Sequence, residues 1–112
     1  MKSMKRKLLK EHLNETCEFM AVVQKVEKRM RKVTLCDVYL RVDGEIKKVA
    51  NHLHVFNVKK EDIKILCPFQ YIWFAAKPSR YHKYDDYGEK VYNYTLREIE
   101  NVNIMEGGRY GK

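Results

Sequence analysis

Asp43-Gly44 stands between two runs in which apolar and polar residues alternate, and it constrains the fold more tightly than any other dipeptide in the chain. Asp-Gly suits the two-residue turns that join antiparallel strands, because both positions tolerate positive φ. The run KVTLCDVYLRV over 32–42 is therefore predicted to pair with EIKKVANHLHVF over 45–56. Closing the hairpin there sets Val42 opposite Glu45, Tyr39 opposite Lys48 and Val38 opposite Val49. Successive side chains alternate faces, so Val38, Leu40 and Val42 point inward with Val49. Val33 and Leu35 fall on the opposite parity. One extra residue in the second strand near Cys36-Asp37 returns them to the core opposite Leu53, and such a bulge also curls a strand.

The flanking segments extend this pattern. CEFMAVVQKVEK, from Cys17, reads as a first strand with Phe19, Ala21 and Val23 on one face. Residues 59–66 read as a short helix, with Asn57 as N-cap, Ile63 and Leu66 on one side, and Cys67-Pro68 as its stop. FQYIWFAAK (69–77) is the fourth strand, PSRYHKYDDYGEK (78–90) a loop, and VYNYTLREIENVNIM (91–105) the fifth strand. There Tyr92, Tyr94 and Leu96 share one parity and Ile99 has the other, which implies a second bulge. Tyr71, Trp73, Tyr92 and Tyr94 lie within strands and are expected in the core or at its lid. The 112 residues amount to one domain. The expected organisation is a basic N-terminal helix or arm over 1–14, a folded domain over 15–106 and a flexible tail over 107–112. In the first segment Leu8, Leu9 and Leu13 share a face with Met4 and His12, and Lys2, Lys5, Arg6 and Lys7 cluster at the start.

Three antiparallel strands, a short helix and two further strands resemble the OB-fold over roughly residues 17–105. The resemblance implies an all-β chain with minor α: a five-stranded antiparallel Greek-key barrel with its short helix between strands 3 and 4. It also implies that ligands meet the outer face of strands 2 and 3 and the loops joining strands 1–2 and 4–5. Small basic chains of this kind with a basic arm also resemble accessory proteins of phages and mobile elements.

Charge is informative at those places. The chain carries 23 Lys and Arg against 15 Asp and Glu, a formal net charge of +8. Such an excess attracts polyanions. The first loop region holds Lys25, Lys28, Arg29, Arg31 and Lys32. The outer face of strands 2 and 3 holds Tyr39, Arg41, Lys48, His52 and His54. The second loop region holds Lys77, Arg80, Tyr81, His82, Lys83, Tyr84 and Tyr87. Cations neutralise phosphates and release counterions. Exposed tyrosines offer flat faces to unpaired bases. Single-stranded DNA or RNA is thus the expected ligand, and these seventeen residues the expected nucleic-acid-binding set. Asp85-Asp86 temper the second loop and are candidates to pair with Lys83 or Arg80.

Other chemistries find little support. No P-loop, GxGxxG, HExxH or Ser-His-Asp order is present, so no catalytic activity and no cofactor are expected. His52-x-His54 puts two imidazoles on one strand face, but a third metal ligand would have to come from Cys36, Asp37 or His82; no metal is expected. Cys17, Cys36 and Cys67 are odd in number and widely spaced, which predicts reduced thiols in a cytoplasmic chain. No apolar run approaches the roughly 18 residues that span a bilayer. The alternative function class is a protein-interaction module with no direct nucleic-acid role.

Overall fold

The computed structural model describes residues 7–109. Strands β1 (Cys17–Glu27), β2 (Lys32–Val42) and β3 (Glu45–Val55) form a meander, followed by a one-and-a-half-turn helix, α1 (Lys60–Ile65). Two long strands, β4 (Gln70–Tyr84) and β5 (Lys90–Arg109), complete one antiparallel sheet in the order β3-β2-β1-β4-β5. The chain passes from β3 across the sheet to lay β4 beside β1. This order, with the helix between β3 and β4, is that of the OB type. The two edge strands meet where Thr95 Oγ1 donates to the His54 carbonyl at 3.1 Å. The sheet thus curls until β3 and β5 come into contact, and among the described residues no backbone ladder joins them.

The inward faces build one core. Phe19, Ala21 and Val23 of β1 meet Val33, Leu35, Val38 and Leu40 of β2, and Ile72, Phe74 and Ala76 of β4. Phe19 and Phe74 stack with ring centroids 5.6 Å apart. Ile63 of α1 and Leu66, the extended residue that follows it, join this core. Asn57 is not the helix cap. It takes a left-handed turn at φ 59, and Lys59 precedes the helix in extended conformation without a side-chain capping bond.

Bulges account for the parity changes. Met20 faces Tyr39 and Val22 faces Cys36, so β2 has one residue more than β1, with Asp37 at φ 50. Against β3 the extra residue lies on β3 instead: Val38 faces Ala50 and Tyr39 faces Lys48. Val49 is thus bulged, and Val38 is not opposite it as the hairpin count predicts. Both Val49 and Ala50 become buried as a result. On β5, Ala75 faces Glu100 while Lys77 faces Arg97, with Glu98 at φ 56. That irregularity lets Leu96 and Ile99 both reach the core.

Of the expected N-terminal helix or arm, residues 7–14 are described. A 3-10 turn spans Lys7–His12, and Asn14 at φ 65 ends it. Leu9 is fully buried and Leu8 packs against the core, so the turn plugs one end of the sheet. The expected basic cluster at Lys2, Lys5 and Arg6 lies outside the described residues. β5 continues to Arg109, opposite Gln70.

Candidate nucleic-acid interface

The predicted loop over 78–90 is mostly strand. β4 runs on to Tyr84 and the connecting turn is only 85–89. Pro78 suggests a break, yet it stands just past Ala76, where pairing with β1 ends and β4 becomes an edge. A strand edge tolerates proline because no amide is needed there. The Pro78 carbonyl instead accepts the Asn14 amide at 2.9 Å. Beyond this point β4 and β5 form a two-stranded arm, in which Arg80 faces Tyr94, His82 faces Tyr92 and Tyr84 faces Lys90.

These six residues share one side of the arm, continuing the parity of Ile72, Phe74 and Ala76. Tyr94 packs at its base against the core, as expected for a strand aromatic. Tyr92 is not core: it is 54% exposed, with the Arg80 guanidinium 4.8 Å from its ring centroid. The His82 ring meets Tyr84 and Tyr92 edge-to-face, at 6.0 and 6.4 Å. Tyr84 is 64% exposed, and Tyr87 at the tip is 90% exposed. Tyr81 and Lys83 fall on the opposite side of the arm, with Asn93 and Val91. The arm tyrosines are therefore divided between two sides and a tip.

Asp85 builds the turn rather than pairing with Lys83 or Arg80. Its Oδ1 accepts the amides of Tyr87 and Glu89, both at 2.9 Å. Gly88 at φ 77 completes the reversal, and its amide donates to the Asp85 carbonyl at 3.0 Å. Replacing Asp85 with Ala removes both side-chain bonds. Each charge-assisted bond of this kind contributes about 1.5–3 kcal/mol when buried and less in water. The expected result is a frayed arm tip, seen as faster amide exchange at Tyr87 and Glu89, with the melting temperature of the whole domain little changed.

The outer sheet face carries a row that crosses all five strands: Lys48, Tyr39, Met20, Trp73 and Asn103. Trp73 is half-buried on this face and is not a core residue. Arg41 lies 5.2 Å from its ring centroid, and its Nε1–H donates to Met105 Sδ at 2.8 Å. Tyr71 follows Trp73 on the same parity, opposite the buried Val22. Parity alone could have placed both aromatics outward, since Ile72, Phe74 and Ala76 take the inward positions.

Charge pairing separates the predicted cations. Arg41 lies 3.7 Å from Glu18, Lys77 3.3 Å from Glu98 and Lys32 3.5 Å from Glu27. Lys48 bonds Asp37 at 3.0 Å, and that bond holds its ammonium above the usual lysine range. Burial, with the neighbouring Asp37 charge, pushes the Cys36 thiol up. Lys25, Lys28, Arg29, Arg31, Arg80 and Lys83 form no ion pair with a described carboxylate. The available positive charge thus collects on the β1–β2 turn and on the arm, more than on the outer face of β2 and β3.

His52 and His54 are exposed on the outer face, and His54 Nδ1 lies 3.0 Å from Thr34 Oγ1. Among the described residues they belong to no group of three metal-ligating side chains. Curling of the sheet gives His54 a different importance. Thr95, at the base of the arm, bonds its carbonyl. His54 also faces Thr34, which faces Lys25, next to the turn carrying Lys28, Arg29 and Arg31. The arm base and the basic-turn end of β3 therefore meet, although the two loops leave opposite ends of the flat sheet.

No protein-family model matches the chain, and no curated protein is similar to it in sequence. Among solved structures it is similar to the mitochondrial single-stranded DNA-binding protein Rim1 from S. cerevisiae. The identity is 13%, over 87% of this chain and 97% of that one, with a TM-score of 0.49. The selenomethionine-labelled form of the same protein gives 0.48 over the same spans.

Proposed function

We propose that this chain binds single-stranded nucleic acid along the arm and the β1–β2 turn, without catalysis. One observation carries the reading: Arg80 and Lys90 share one side of an arm with the exposed Tyr84 and Tyr92, and that arm is tied to β3 beside the basic turn. The cations attract the phosphates, and the rings of Tyr84, Tyr92 and Tyr87 receive unpaired bases. Duplex buries its base faces and forfeits that second contribution.

Fluorescence-anisotropy titration with labelled dT and rU oligomers tests this. Engagement of Lys25, Lys28, Arg29 and Arg31 of the turn region with Arg80 and Lys90 of the arm predicts a log–log salt slope of about −4, which is roughly three-hundredfold weaker binding at about 200 mM than at about 50 mM salt. Failure to bind either oligomer at low salt would sink the reading. Equal affinity for duplex of the same length would replace it with unselective electrostatic attraction.

A further inference from the structure

We propose that His12, Glu15 and Cys17 form a zinc-binding site that fastens the N-terminal plug to β1. One ligand atom from each residue lies within 4.8 Å of the others, and His12 Nδ1 is 3.1 Å from Glu15 Oε1. The set offers a nitrogen, an oxygen and a sulfur, which suits Zn²⁺. Tetrahedral zinc, with bonds of about 2.0–2.3 Å, holds such donors about 3.3–3.6 Å apart. Small rotamer changes of side chains that are not deeply buried close the remaining gap. Water fills the fourth position on the solvent side, where Glu15 is exposed.

The backbone that presents these ligands is already fixed. Asn14 at φ 65 folds the chain back, and the Glu15 amide donates to the His12 carbonyl at 3.0 Å. The Asn14 amide is held by the Pro78 carbonyl, and its side-chain oxygen accepts Arg97 Nη2 at 2.7 Å. Two ligands therefore sit on a turn anchored to β4 and β5, while the third is the first residue of β1. Cys17 packs against the same core into which Leu9 is buried. On binding, the Cys17 thiol releases its proton to solvent and the thiolate takes the metal. The ion would then join the 3-10 turn to the sheet through side chains that otherwise share only a His12–Glu15 pair.

The test uses the full chain, with Cys36 and Cys67 both changed to Ser so that one thiol remains. Cobalt(II) serves as the spectroscopic probe. The expected result is a thiolate-to-cobalt charge-transfer absorption that saturates at one equivalent and is displaced by zinc. It should vanish in Cys17→Ser. Because Glu15 is exposed, Glu15→Gln should fold normally, as circular dichroism will show, yet bind at least about tenfold more weakly. Zinc should raise the melting temperature of the unmodified chain but not of His12→Ala. Absence of the absorption, its survival in Cys17→Ser, or unchanged affinity in Glu15→Gln would overturn the assignment.

Discussion

Changing Tyr84 and Tyr92 together to Ala is expected to weaken single-strand binding by at least about thirtyfold. Each base stacked on an aromatic ring contributes about 1–3 kcal/mol, so losing two costs about 2–6 kcal/mol. Both rings flank His82 on one side of the arm, and both are more than half exposed. Their removal leaves the core intact, and exposed substitutions of this kind shift stability within about 0.5 kcal/mol. Tyr81→Ala is the matched control, since Tyr81 lies on the opposite side with Asn93. Anisotropy should show a small change for Tyr81→Ala and a large one for the pair. If the two variants lose the same affinity, the path does not follow one side of the arm. If the pair loses none, the tyrosines stack no bases.

Phe19→Ala should cost about 3–5 kcal/mol of folding stability, the usual penalty for removing a fully buried ring. Phe19 stands on the central strand, opposite Leu40 of β2 and Phe74 of β4, so the cavity would open beneath three strands at once. The stacking with Phe74 is lost as well. A domain of this size has a total stability of about 5–15 kcal/mol, so the variant should sit near the edge of folding. Urea denaturation followed by tryptophan fluorescence will measure it, because Trp73 lies on the outer face beside Phe74. A loss below about 1 kcal/mol would mean that the core relaxes around the missing ring.

The arm was the part least legible in the sequence. Pro78, Ser79 and the charged residues after them carry every local sign of a loop, whereas their alternation continues that of β4. Local propensity lost here to cross-strand pairing with β5, which supplies the partner that no local pattern reveals. Trp73 and Tyr71 were misplaced for a related reason. Aromatic character argues for burial, but with Ile72, Phe74 and Ala76 facing inward their parity leaves only the outer face. Asp85 looked like a counter-ion for nearby cations, yet its carboxylate is taken by two backbone amides of its own turn.

Local patterns were sufficient for the elements whose partners are near in sequence. Asp43-Gly44 set the β2–β3 turn, Val42 opposite Glu45 and Tyr39 opposite Lys48, because a two-residue turn leaves no freedom of register beside it. The placement of α1 and the burial of Ile63 and Leu66 followed from spacing in the same way. Farther from the turn, register depended on which strand absorbs an extra residue. Val49 bulging on β3, and the irregularity at Glu98 on β5, were decided by packing across the whole sheet. Only the curled sheet brings Thr95 to the His54 carbonyl, and so unites the arm with the basic turn. Only the anchored turn at Asn14 brings His12 and Glu15 to Cys17. The Asp-Gly hairpin thus fixes its own register locally, and the ligands of the proposed zinc site are near neighbours in sequence, whereas the nucleic-acid interface joins segments whose separation along the chain only tertiary packing can bridge.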